Sequence, residues 1–233
     1  MGKKQTVLVI GDLHAPFMHK DAVKFLKVVK NKYKPTETIF MGDEVDAHAT
    51  SYHEHDPDLP SAGDELAQAI KQLQPLYKMF PKATVLESNH GSLVYRKALT
   101  AGLPAAILKG YREICQAPKG WTWKYDYTIK TALGSVYFHH GKSASHEKLS
   151  KNMAMSAIQG HYHNSFYISY WSSPNGLYWD ANAGCLVDNK SRAMAYNKNN
   201  LQKPIVGCMV ILDGVPQLIP MFLDHKGRWT GKL

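Results

Sequence analysis

Five short clusters of carboxylate, imidazole and amide side chains follow one another along the chain. They are Asp12-Leu13-His14, Gly42-Asp43-Glu44-Val45-Asp46, Ser88-Asn89-His90, His139-His140-Gly141 and Gly160-His161-Tyr162-His163. Oxygen and imidazole donors with no thiolate among them suit divalent cations such as Mn, Fe, Ni or Zn rather than a cysteine-held structural zinc. The set is large enough for two cations, and a close pair of cations activates water and clamps the attacking and leaving oxygens of a displacement at phosphorus. The residues therefore point to hydrolysis at a two-metal centre.

Such a centre requires the clusters to converge, and the intervening pattern supplies the means. Residues 6–10 form a β-branched, apolar run ending in Gly11, as expected of a buried strand that delivers Asp12 and His14 on the loop beyond it. Apolar residues recur at helical spacing over 21–33, and 38–41 reads as a second strand, giving a β-α-β start. Parallel strands present their following loops at one sheet edge, so Asp43 and Asp46 should emerge beside Asp12. A helix over about 61–80 and a strand over 84–86 bring Asn89 and His90 to the same edge, and 104–115 reads as a further helix. Beyond Pro118-Lys119-Gly120 the chain turns strand-rich. Residues 125–131 and 135–138 flank Leu133-Gly134 as a hairpin, strands are expected over 166–171, 176–179, 205–212 and 217–222, and a helix over 146–155 interrupts them. The Asn- and Lys-rich stretch 188–203 reads as a long exposed loop.

The order Asp-x-His, Gly-Asp-x-x-Asp, Asn-His, His-Gly and Gly-His-x-His resembles the calcineurin-like metallophosphoesterase family over residues 6–165. The resemblance implies an α/β fold, a four-layer α/β/β/α sandwich of two mixed β-sheets flanked by helices. It assigns Asp12, His14 and His163 to one metal, Asn89, His140 and His161 to the other, and Asp43 as the bridging carboxylate. His90, next to a ligand, becomes the candidate acid for the leaving group and a contact to substrate. Asp46 reads as the group orienting a ligand imidazole. Manganese leads among the metals. The implied activity is that of a phosphodiesterase or nuclease, with a phosphomonoesterase, a phosphoprotein phosphatase or a catalytically silent metal-binding scaffold as alternatives. The compact plan is similar to metallophosphoesterases encoded by phages and prophages.

Several residues remain open at this level. His139 and His140 are adjacent strand residues that point to opposite faces, and the family pattern favours His140. His53 and His55 fit a third metal site or a polar surface loop equally well. Arg96 has the planar fork to hold a substrate phosphate, or is a surface ion-pair partner. Trp121, Trp123, Trp171 and Trp179 have faces on which bases stack, although strand aromatics are more often packing residues. The third motif departs from the family pattern: Ser88 stands where Gly is usual, and Gly91 where an acid is usual, so an acidic group that would orient His90 is missing.

Composition sets the bounds. With 233 residues, 44% hydrophobic and 20% charged, the chain is expected to form one globular domain, 1–233. No apolar run reaches the roughly 20 residues of a membrane span, and no signal-peptide pattern is evident, so a cytoplasmic protein is expected. Cys115, Cys185 and Cys208 are odd in number and widely spaced, which argues against a disulfide framework and for reduced, buried thiols. A net charge of +9 favours an anionic partner, nucleic acid among the candidates, although much of the excess is Lys scattered on the first helix.

Overall fold

The computed structural model describes residues 5–52, 56–191 and 201–233, so His53, His55 and residues 192–200 of the expected loop lie outside it. Along the chain run β1 (Thr6–Ile10), α1 (Ala22–Tyr33), β2 (Glu37–Phe40), α2 (Ala62–Met79), β3 (Ala83–Leu86), α3 (Leu93–Thr100), α4 (Tyr111–Ile114), β4 (Trp121–Lys124), β5 (Asp126–Thr131), β6 (Gly134–His139), α5 (Lys148–Met153), β7 (Ser156–Gln159), β8 (Phe166–Ser173), β9 (Gly176–Ala183), β10 (Gly207–Leu212) and β11 (Val215–Pro220).

The strands form two mixed sheets, ordered β11-β10-β1-β2-β3-β4 and β5-β6-β7-β9-β8. In the first, β1 to β4 are parallel and β10 runs antiparallel to β1. Because side chains alternate across a strand, β1 serves two layers. Leu8 and Ile10 pack with Phe25 and Leu26 of α1 and Leu73 and Leu76 of α2. Val7 and Val9 pack with Phe138, Ile158 and Ala181 of the second sheet. A smaller cluster of Tyr137, Leu149 and Ala157 seats α5 on the outer face of that sheet. Three apolar interfaces between four layers make the expected α/β/β/α sandwich. All three cysteines are free and buried. Among the described residues no helix is long and apolar enough to cross a membrane.

The region after β3 differs from the sequence reading. Beyond α3, in place of a helix over 104–115, there are a single 3-10 turn at Ala105–Ile107 and the one-turn α4. Gly110 stands between the last two in an extended conformation, φ −60° and ψ 143°, which ends any continuous helix there. Two short strands escaped the pattern. β4 carries Trp121 and Trp123 alongside β3, and β7 is a four-residue buried run, too short to show a period.

Candidate metal centre

The loops after β1, β2 and β3 meet those after β6 and β7 at one edge, where the parallel strands end. Two glycines make the approach possible. Gly42 has φ +100°, and a Cβ there would lie 2.7 Å from Ser88 Cβ and 2.9 Å from His140 Nδ1. A Cβ at Gly160 would lie 2.6 Å from Asp12 Oδ1. The neighbours His14 and Asp43 themselves adopt left-handed backbone, φ 50° and 47°. The Asp43 carbonyl accepts the N–H groups of Leu13 and His14 at 3.1 and 2.8 Å, tying the first loop to the second.

Among the described residues ligand atoms gather in three groups, one of them His14, Asp46 and His90, and the other two share Asp43. Asp12, His14, Asp43 and His163 form one, and Asp43, His140 and His161 the other, each with its atoms within 4.8 Å of one another. Asp43 Oδ2 lies 3.6 Å from His14 Nε2 and 3.2 Å from His140 Nε2, so one oxygen faces both groups. Asn89 Oδ1 joins the second group, 2.7 Å from His140 Nε2. In the first, His163 Nε2 lies 3.0 Å from both His14 Nε2 and Asp12 Oδ2. Asp12 Oδ1 is buried with no hydrogen-bond partner. This convergence of lone pairs around an orphaned carboxylate oxygen is the donor set a divalent cation accepts.

The outer nitrogens of two of these imidazoles are already committed. His14 Nδ1 lies 2.5 Å from Asp46 Oδ1, and His140 Nδ1 donates to the Met41 carbonyl at 2.7 Å. A carbonyl oxygen only accepts, so the His140 proton is held on Nδ1 and the Nε2 lone pair faces inward. His90 is arranged alike: its Nδ1 meets the Asp46 carbonyl oxygen, and its backbone N–H donates to Asp43 Oδ1 at 3.1 Å. Asp46 thus orients His14 through its carboxylate and His90 through its backbone, in place of the acid that Gly91 lacks. Ser88 also has a role: its Oγ accepts the Asp43 and Gly91 N–H groups at 3.0 and 3.1 Å.

The field of this cluster favours positive charge. Burial pushes the Asp43 carboxyl up, but His140 and His90 outweigh it and hold the carboxyl well below its ordinary range. Burial opposes charging His140, yet Asp43 raises its pKa to about 10. At His163 burial likewise opposes charge, and Asp12 raises the pKa. His161 is shifted the other way, by burial and by His140. Carboxylates that stay ionised while buried recruit a cation, whether a proton on imidazole or a metal ion in exchange for it.

His139 turns away from this cluster. Its Nδ1 accepts the Gly141 N–H at 3.0 Å, its ring stacks with Tyr137, and burial followed by Lys142 lowers its pKa to about 4. Arg96 is exposed and bends back, donating from Nη2 to the Asn89 carbonyl at 2.7 Å and from Nε to Ser92 Oγ at 3.2 Å. Glu44 went unremarked in the sequence. It is buried, burial pushes its pKa to about 7, and Oε1 accepts the Trp123 indole N–H at 2.8 Å. Its only sequence signal is an acid between Asp43 and Val45, on a strand end otherwise packed into the core.

No family model and no curated protein sequence matches the chain. Solved structures do. YfcE, a phosphoesterase from E. coli, is 10% identical, with 98% of each chain covered and a TM-score of 0.50. An archaeal phosphodiesterase is 12% identical, covering 93% of this chain and 99% of its own, with a TM-score of 0.47. Vps29 of Chaetomium thermophilum is 12% identical, covering 97% and 94%, with a TM-score of 0.46. The likeness to YfcE is one of fold, and on it, together with the two-sheet architecture and the motif order, the chain has the metallophosphoesterase fold.

Proposed function

We propose that the protein is a two-metal phosphoester hydrolase acting on phosphodiesters, with a nuclease as the form its net charge of +9 favours. The observation that carries the reading is the single Asp43 oxygen between His14 and His140, with Asp12 and His163 on one side and Asn89 and His161 on the other. Asp12, His14 and His163 would hold one cation, Asn89, His140 and His161 the second, and Asp43 both. Manganese fits this mixed carboxylate, imidazole and amide set. When bound, such cations act as Lewis acids and lower the pKa of water.

The chain's own residues supply the rest. Asp46 and Met41 fix the ring orientations of His14 and His140, so the centre is preorganised rather than assembled by substrate. His90 keeps its Nδ1 proton on the Asp46 carbonyl and is partly exposed, with a side-chain accessibility of 24%. As an imidazolium it donates the Nε2 proton to the departing alkoxide; as a neutral ring it accepts there. The exposed Arg96 guanidinium, on the helix that follows, is a second group for the phosphoryl oxygens.

The test is a titration of metal-free protein with Mn, read by calorimetry and by hydrolysis of bis-p-nitrophenyl phosphate. Two ions per chain and metal-dependent turnover are expected, with both reduced in Asp43→Asn. Undiminished hydrolysis by Asp43→Asn would sink the proposal, and tight Mn binding without turnover on any phosphoester would favour a metal-binding scaffold.

A further inference from the structure

The loop that carries Asn89 and His90 has a second face. Behind it lies a cavity of about 640 Å³, with Ser88, Gly91 and Ser92 forming one wall and Trp123, Tyr111 and Tyr95 lining the interior. That volume falls within the roughly 300–1,000 Å³ of small-ligand sites. Trp123 and Tyr111 meet edge to face with centroids 5.7 Å apart. Trp123 is anchored by its indole bond to Glu44, and Tyr95 by its hydroxyl bond to the Lys109 carbonyl at 2.7 Å. The aromatic wall is therefore built and held, with the fully buried Trp121 also at the lining, whereas Trp179 is a core residue, 5% exposed.

Two observations say what fits. The first is adjacency: Ser88, which lines the cavity, accepts the backbone N–H of Asp43 through Oγ, so the cavity wall touches the residue whose carboxylate both ligand groups share. Gly91 matters here, since a Cβ at that position would already lie 3.4 Å from the Tyr111 ring, and a longer acidic side chain would extend along this wall. The second is charge: Arg112 and Lys119 stand exposed at the lining, beside the acceptor Glu87. Aromatic faces for a base, a carboxylate for its exocyclic amine and cations for a second, non-scissile phosphate describe one ligand chemistry.

We propose that this cavity binds a nucleobase of a nucleotidyl phosphoester whose phosphate lies at the Asp43 cluster. The proposal rests on the hydrolase reading for its substrate, but the pocket can be read without turnover. Adenosine, which has no phosphate, is titrated into metal-free protein and followed by tryptophan fluorescence and calorimetry. Wild type is expected to bind and quench. Tyr95→Ala should weaken binding on the order of tenfold, the scale of one lost base–aromatic stack. Gly110→Leu, at a lining position where a Cβ meets nothing within 4 Å and the backbone is ordinary, should fold normally and narrow the cavity.

Both variants should also lower kcat/KM for the p-nitrophenyl ester of adenosine 5′-phosphate while leaving methyl p-nitrophenyl phosphate unchanged. Hydrolysis of the methyl ester without adenosine binding, or equal losses on both esters, overturns the pocket and leaves the hydrolase reading standing. Adenosine binding weakened by both variants, with no ester turned over, sustains the pocket and overturns the hydrolase reading.

Discussion

Replacing Ser88 with alanine takes the acceptor away from two backbone N–H groups at once. The Asp43 N–H, at 3.0 Å, is buried, and leaving it unpartnered costs about 1–3 kcal/mol. The Gly91 N–H, at 3.1 Å, is half-buried, so water replaces the hydroxyl and the loss is about 0.5–1.5 kcal/mol. Together these come to about 1.5–4.5 kcal/mol, and at about 2–4 °C per kcal/mol for a chain of this length Tm falls by about 3–18 °C. The same bond fixes the left-handed backbone from which the Asp43 carboxylate projects. Its loss should therefore weaken Mn binding by about 10–100-fold, the scale of losing an orienting partner of a ligand. Calorimetric unfolding of metal-free protein and a Mn titration read the two effects separately. Ser88→Gly, which restores the residue usual in the family pattern, should be no better than alanine, because it removes the same hydroxyl. A Tm within about 1 °C of wild type, with unchanged Mn affinity, would refute this reasoning.

How much of this was legible before any coordinates depends on the range over which each decision is made. The β-α-β start was readable because β1 and β2 are continuous apolar runs and α1 carries a clean helical period, all local signals. The region from Leu93 to Cys115 was not. Its apolar residues Leu99, Leu103 and Ile107 are exposed, so their spacing reports no buried face, and Gly110 breaks the run that composition joins. β7 was missed because its residues Ser156, Ala157, Ile158 and Gln159 are buried on both faces, and a strand buried on both faces need not alternate.

The convergence of the candidate ligands was also legible. Their types are those a divalent cation accepts and their order follows the parallel sheet, whereas the supporting contacts are long-range and leave no local trace. Asp46 orienting His14 spans 32 positions, and Trp123 reaching Glu44 spans 79. Strand alternation said only that one of His139 and His140 faces the cluster; the family pattern favoured His140, and His140 is the one that lies with Asp43 and His161. The role of Ser88 could not be read at all. A hydroxyl replacing a glycine looks like a loss of freedom in the sequence, and only the approach of Asp43 and Gly91 shows it to be an acceptor.

Two further outcomes separate chemistry from folding. His90→Ala should lower turnover by about 10²–10⁴-fold while two Mn ions still bind; an equal loss of metal, measured by elemental analysis, would make His90 a ligand instead. Asp21→Asn tests an ion pair outside the ligand cluster. The Asp21 carboxylate accepts Arg228 Nη2 and Nε at 2.6 and 2.8 Å and the Trp229 N–H at 3.0 Å, stapling the C-terminal segment over Phe25. The bond to Arg228, against the opposing effect of burial, holds the carboxyl well below its ordinary range. A depressed folded pKa gives stability that is complete above the unfolded value of about 3.9 and drains away as pH falls through the folded one. At pH 7 Asp21→Asn should therefore unfold a few degrees below wild type, and the gap should close on acidification below pH of about 4. A gap that stays constant to the lowest pH at which both variants fold would show that the carboxylate's charge contributes nothing, and that the staple is held by packing of Trp229 alone.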